Sequence, residues 1–163
     1  IGQGYILATP LQLAMAYSGL ANKGVIYQPQ FIQPEDEKSF EPKKIAEIQL
    51  SDNKAWEKME QALVDVISAR NGTAHKVFDA NSVVIAGKTG TAQIKSILPG
   101  KEYDAIRENP ALRDHALFVG YGPVEDPKLV VAVIIENGES GSEVAAPIVK
   151  SAINFYTEGF DAK

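Results

Sequence analysis

The sequence predicts an α+β fold, an antiparallel sheet covered by helices. Three observations carry this expectation. The stretch HALFVGYGPVEDPKLVVAVIIENG reads as strand, turn, strand, with Pro123 and Pro127 bracketing the turn. Apolar residues recur at helical spacing near both ends of the chain and once between them. Val83 to Ala86 is an unbroken apolar run bounded by turn residues, as in a strand covered on both faces. The 163 residues suit one domain, and 45% apolar content is enough for a core.

Taken in order, Thr9-Pro10 is a helix start, with Thr9 as N-cap and Pro10 at the first helical position. Leu11, Ala14, Met15, Ser18 and Ala21 follow at helical spacing, and Gly24 is placed to stop the helix in a left-handed conformation. VIYQPQFI is a short extended piece. Residues 33 to 44, QPEDEKSFEPKK, read as a solvated loop. Ser51 begins a second helix, whose buried stripe is Trp56, Met59, Leu63, Val66 and Ile67, and Asn71-Gly72 ends it. The β-branched residues of the 83–86 run favour strand over a piece of buried helix. Residues 95 to 114 are polar, carry two prolines and have room for one helical turn. A connection of that length inside a compact domain is usually functional or mobile. The strand Leu129 to Ile135 is strongly apolar and expected to be central. A last helix from Ala145 carries Pro147 in its first turn and Ile148, Val149, Ala152, Ile153 and Tyr156 on one face. There is no internal repeat and no low-complexity segment.

Composition narrows the function. A formal net charge of -5 argues against nucleic acid as the main partner, because backbone phosphates need a basic face. The absence of cysteine excludes disulfides and thiolate zinc sites, and it suits an oxidising compartment without requiring one. No apolar run has the length of a membrane span. The opening residues IGQGYILATP read as the middle of a domain, so a fragment is expected, with a processed chain as the alternative.

The chemistry concentrates in VVIAGKTGTAQI. A P-loop needs a glycine five residues before the one preceding Lys88; that position is a serine, and the intervening Val83 to Ala86 are strand, not a flexible cradle. Along a strand, Lys88 and Gly90 point to one face and Thr89 and Thr91 to the other. All four serve one site only if that site lies along the strand's edge. Glycines there admit another backbone or a ligand, and an edge offers unpaired N–H groups to an extended peptide. One such N–H can hold a developing oxyanion, and the lysine and hydroxyls can bind a carboxylate. The expectation is a site for a peptide-like acyl substrate bearing a carboxylate. A surface lysine beside a tight turn is the alternative.

GKTGTAQ resembles the Lys-Thr-Gly motif of the penicillin-recognising serine acyl enzymes, and in particular of the class B penicillin-binding proteins. IGQGYILATPLQLAMAYSGLANKG resembles the segment that follows their second motif, NGTAHKVF the Gly-Thr-Ala turn before the third motif's strand, and HALFVGYGP and AAPIVKSAINFY the closing strand and final helix. The patches run from residue 1 to about 157 and leave only 33 to 50 and 95 to 114 without a counterpart. Within the family, the elongation-specific transpeptidases of rod-shaped bacteria are the best match. The family's nucleophile lies in Ser-x-x-Lys. SDNK, Ser51 to Lys54, has that spacing but falls between the two segments, whereas the nucleophile precedes both, so Ser51 reads as a helix N-cap. Ser-x-Asn does not occur in the chain.

The resemblance implies the C-terminal part of one transpeptidase domain, residues 1–163, with a penicillin-binding protein or serine β-lactamase-like fold, lacking its first two motifs and inactive alone. It implies peptidoglycan D,D-transpeptidase activity on D-Ala-D-Ala stem peptides and acylation by β-lactams. Lys88 would supply positive potential, Thr89 and Thr91 would bind the substrate carboxylate, Gly90 would leave room for the acyl chain, and the Thr91 N–H would form half of the oxyanion hole. No metal or cofactor is implied. The implied location is the periplasmic face of the inner membrane, with the anchor outside this chain. The implied partners are a membrane glycosyltransferase, rod-shape scaffold proteins and the upstream part of the same domain. A serine β-lactamase or carboxypeptidase of the same fold, a non-catalytic penicillin-binding sensor and a partner-binding fragment are the rival readings.

Neither His75 nor His115 has metal-ligand spacing. His115 reads as a strand-end polar residue, with contact to the active-site rim as the alternative. Arg113 and Asp114 read as loop charges, Glu35 to Glu37 as a solvated run, and Trp56 and Met59 as core. Glu136 and Glu139 carry no assignment.

Overall fold

A computed structural model describes residues 6–32, 41–77, 83–94 and 109–158. The chain runs α1 (Pro10–Ala21), β1 (Val25–Tyr27), β2 (Lys44–Glu47), α2 (Lys54–Ser68), β3 (Ala86–Ala92), β4 (His115–Gly122), β5 (Leu129–Ile135) and α3 (Ala146–Glu158). Single 3-10 turns lie at His75–Val77 and Pro110–Leu112, and a π turn at Gly141–Ala145 leads into α3. The fold is the expected α+β type. Residues 33–40 and 95–108 of the two expected loops lie outside the described residues.

The first helix starts where its cap residue dictates. The Thr9 hydroxyl accepts from the Gln12 N–H at 3.2 Å, and the Thr9 N–H donates back to the Gln12 side chain at 2.8 Å. Lys23 and Gly24 both take positive φ, 50° and 103°, and a Cβ on Gly24 would lie 2.5 Å from the Ile48 carbonyl oxygen. The buried face of α1 turns on Gly19 and packs Tyr17, Leu20 and Ala21, while Leu11 is exposed. β1 pairs antiparallel with β2, which starts at the last residue of the expected 33 to 44 loop and runs through residues the sequence reading left without an element. All four residues of β2 are exposed, so its pairing comes from β1 and not from a burial pattern of its own.

α2 begins at Lys54 and not at Ser51. Asn53 occupies the N-cap, and the Asp52 carboxylate accepts from the Lys54 N–H at 2.9 Å. The helix also ends at Ser68, before Asn71-Gly72. Gly72 is required for a different reason. The chain folds back over the last helical turn, and a Cβ there would stand 2.3 Å and 2.4 Å from the Asp65 and Val66 carbonyl oxygens. Leu63 is buried, and Val66 and Ile67 pack against the core. Met59 is 47% exposed and is not core, which corrects the expected stripe.

The main sheet has the order β3-β4-β5, all antiparallel. The 83–86 run is therefore mostly the approach to a strand, and the strand itself is the AGKTGTA segment. Among the described residues β4 is the central strand, where β5 was expected. Apolarity reports how many faces of a strand are covered, and both faces of β5 are. Leu129, Val131, Val133 and Ile135 pack with Ile85, Phe118, Val149 and Ile153. Val130 faces the opposite cluster of Tyr17, Leu20, Leu63 and Tyr121. α3 thus covers one face and α1 the other. The buried line on α3 is Ala146, Val149 and Ile153. Ile148 and Tyr156, expected on that face, are exposed.

Two outcomes follow from this core. Ile153→Ala, at 0% exposure, lowers stability to urea by about 2–5 kcal/mol, whereas Ile148→Ala, at 46% exposure, changes it by less than about 0.5 kcal/mol. Burial, helped by the charge of Glu60 and by Tyr17, pushes the Tyr121 hydroxyl up to about 12. A raised folded-state value means this contribution is intact below the ordinary tyrosine range and is lost as pH rises toward the folded value, because the unfolded phenol ionises first. Stability measured by urea midpoint therefore falls between about pH 10 and pH 12, and Tyr121→Phe flattens that fall.

Candidate active site

β3 places Lys88, Thr89, Gly90 and Thr91 in one extended run, paired through Lys88↔Val119, Thr89↔Phe118, Gly90↔Leu117 and Thr91↔Ala116. Among the described residues β3 pairs only with β4, so its other edge carries no strand. Lys88 and Thr89 leave opposite faces, yet the Lys88 ammonium folds across the edge. It donates to both the carbonyl and the hydroxyl of Thr89, each at 3.1 Å. The edge site expected from alternation thus brings lysine and threonine together.

Because the Thr89 carbonyl is met by a lysine at the edge, alternation directs the main-chain groups of Thr89 and Thr91 outward and those of Lys88 and Gly90 toward β4. The glycines make this arrangement possible. A Cβ on Gly87 would meet the Phe118 ring at 2.6 Å, and one on Gly141 would meet the Leu117 carbonyl at 2.2 Å and that of Gly90 at 2.9 Å. The site therefore offers one flexible cation, two hydroxyls and an outward N–H along residues 88 to 91 of the strand. That set can bind a carboxylate and stabilise an oxyanion.

Thr73 belongs to the same constellation, and sequence reasoning missed it as a site residue. Its hydroxyl oxygen stands 3.2 Å from that of Thr89. The signal was the Gly-Thr-Ala turn, noted only as part of a resemblance.

Other candidates fall elsewhere. Ser51 is exposed and precedes α2, so Ser51 and Lys54 do not lie one turn apart on a helix. His75 lies in the 3-10 turn after α2. His115 is a strand-end residue, opposite Ala92, whose Nδ1 accepts from the Asn137 N–H at 3.0 Å. Asp114 is not a solvated loop charge: it is 6% exposed, and its carbonyl accepts from the Glu139 N–H at 2.9 Å. Asn137 donates from its side chain to the Arg113 carbonyl at 2.9 Å, and Arg113 faces the Glu139 carboxylate at 3.8 Å. Residues 113–115 are thus clipped to 137–139 where the chain enters β4. Among the described residues no group of three or more His, Cys, Asp or Glu could hold a metal ion, and no helix is long and apolar enough to cross a membrane.

The penicillin binding protein transpeptidase domain family matches residues 1–154. The chain belongs to that family. It is 38% identical over 160 residues to the peptidoglycan D,D-transpeptidase MrdA of Haemophilus influenzae, covering 96% of this chain and 25% of that protein. The chain thus spans about a quarter of the length of this curated relative. Among solved structures, Pseudomonas aeruginosa PBP2 in complex with WCK 5153 superposes with a TM-score of 0.75 at 39% identity, covering 100% of this chain and 33% of that one. Helicobacter pylori PBP2 in complex with MreC superposes at 0.74 with 27% identity, covering 98% of this chain and 27% of that one. These neighbours place the β3-β4-β5 sheet and its helices in the penicillin-binding protein transpeptidase fold.

The clip at the start of β4 is testable by itself. Asn137 has φ 59° and Glu139 φ 57°. Asn137→Ala removes the Arg113 bond and keeps the left-handed strain, so it lowers the melting temperature, by about 1–3 kcal/mol in stability. Asn137→Gly loses the same side-chain bond without the strain and costs less.

Proposed function

We propose that this chain supplies the Lys-Thr-Gly strand of a peptidoglycan D,D-transpeptidase working in bacterial cell elongation. The observation that carries the reading is the Lys88 ammonium 3.1 Å from the Thr89 hydroxyl on the open edge of β3. The 38% identity to a peptidoglycan D,D-transpeptidase supports the reaction.

In the complete domain a serine oxygen attacks the penultimate D-alanine carbonyl of a stem peptide. The negative charge that develops on that carbonyl oxygen lies at the Thr91 N–H. The peptide bond breaks, D-alanine leaves as the amine, and an amine of a neighbouring stem displaces the serine to form the cross-link. Thr89 and Thr91 hold the terminal carboxylate through their hydroxyls, Lys88 supplies positive potential beside it, and Gly90 keeps the strand bare where the acyl chain lies. A β-lactam presents a carboxylate and a strained acyl group to the same strand and acylates the same serine.

On this reading residues 1–163 are the C-terminal part of one transpeptidase domain. The nucleophile and the Ser-x-Asn motif come from the upstream part of the same domain, and the chain alone is inactive. The enzyme works at the periplasmic face of the inner membrane, held by a segment outside this chain. The Helicobacter pylori relative in complex with MreC supports a rod-shape scaffold protein as partner. A membrane glycosyltransferase is the second expected partner.

Intact mass after incubation with a penicillin tests the reading. The whole protein gains the mass of one penicillin on a serine outside this chain, and the isolated 163-residue chain gains none. Acylation of Ser51, or no acylation of the whole protein, overturns it. In the whole protein Lys88→Ala slows acylation by roughly 10²–10³, the scale of losing one charge-stabilising group.

A further inference from the structure

We propose that Thr73 is a positioning residue for this site. Its hydroxyl donates to the Thr89 hydroxyl and so leaves the one Thr89 hydroxyl hydrogen for the substrate's carboxylate. The inference rests on the transpeptidase reading of β3.

The number of hydrogens on the two hydroxyls decides which one donates. A threonine hydroxyl has one hydrogen and two acceptor positions. Lys88 Nζ can only donate, and at 3.1 Å it occupies one acceptor position of Thr89 Oγ1. Thr73 Oγ1 stands 3.2 Å from the same oxygen, a distance that allows either hydroxyl to donate. If Thr89 donated to Thr73, its only hydrogen would be taken by that exposed hydroxyl, and the site would present a bare oxygen to an anion. If Thr73 donates, both acceptor positions of Thr89 are filled, one by Lys88 and one by Thr73, and its one hydrogen is left for a ligand. A carboxylate at that edge selects the second arrangement, because it needs a donor and repels a lone pair.

The backbone holds Thr73 in place for this role. Gly72 lies against the Asp65 and Val66 carbonyls with no room for a Cβ. Its N–H donates to the Ala69 carbonyl at 2.7 Å, and the Ala74 N–H donates to the Val66 carbonyl at 2.9 Å. Ala74 is fully buried in the cluster that also holds Ile85 and Val149. Thr73 is thus presented from a turn anchored on both sides, and the Gly-Thr-Ala sequence is what that turn requires: no side chain, a hydroxyl, then a small apolar residue.

The test uses the whole transpeptidase and two probes, benzylpenicillin and its methyl ester, which lacks the carboxylate charge. Thr73→Val keeps the shape and removes the hydroxyl. It is expected to slow acylation by benzylpenicillin about tenfold and to leave the methyl ester within about twofold, with an unchanged melting temperature. Thr73→Ser restores the benzylpenicillin rate to within about twofold of wild type. In a Thr89→Val background, Thr73→Val adds less than about twofold, because its target is gone. The inference is overturned if Thr73→Val slows both probes equally, if it slows neither, if serine fails to rescue, or if the two substitutions are additive. A wild-type protein that benzylpenicillin does not acylate overturns the transpeptidase reading itself, and this inference with it.

Discussion

The pairing of β3 with β4 joins the strand that carries Lys88, Thr89 and Thr91 to the core under α3. Its register sets Gly87 opposite Gly120 and Gly90 opposite Leu117. At Gly87 the Phe118 ring occupies the space a side chain would need, so the two strands and the core beneath close only with glycine there. Glycine inside a strand carries an entropic cost, and the packing of Phe118 into the core offsets it. The same pairing uses one edge of β3 and leaves the other without a strand among the described residues. An open edge invites aggregation unless it is short, charged or occupied. Here it is seven residues long and carries a lysine folded across it.

The proposed site on β3 has a rigid base. Two apolar clusters clamp the sheet, one under α3 and one under α1, and α2 contributes to both. The hydroxyls and outward N–H of β3 therefore have fixed positions before any ligand arrives, which is what electrostatic stabilisation of a developing charge requires. The long lysine is the adjustable part. In this chain it satisfies itself on the Thr89 carbonyl and hydroxyl, and it can leave the carbonyl for a ligand without disturbing the sheet.

What could be read from the sequence was whatever a few adjacent residues decide. Thr9-Pro10 marks the start of α1 because a cap is a local hydrogen bond. Lys88 to Thr91 could be placed on an edge because alternation and two glycines leave few other ways for them to converge. The boundaries set by tertiary structure were not legible. Ile85 is buried before the ladder begins at Ala86, but Val84 is 55% exposed, so the apolar run marked neither a strand nor a segment covered on both faces. β5 looked central because both its faces are covered, while the hydrogen bonding that makes β4 central leaves no mark on hydropathy. β2 has no pattern because nothing among the described residues covers it. Asp114 looked like a loop charge because nothing near it in sequence shows that residues 137–139 fold over it. Thr73 and Thr89 are sixteen residues apart, and only the turn after α2 brings their hydroxyls together.

The structure of the whole protein after acylation by a penicillin decides whether β3 forms the acyl-transfer site. The acyl carbonyl oxygen is expected about 3 Å from the Thr91 nitrogen, with the penicillin carboxylate within hydrogen-bond reach of the Thr89 and Thr91 hydroxyls. The Lys88 ammonium is expected to have moved off the Thr89 carbonyl. An acyl group lying away from β3, with the Lys88–Thr89 contacts unchanged, would contradict the claim that this strand forms the acyl-transfer site.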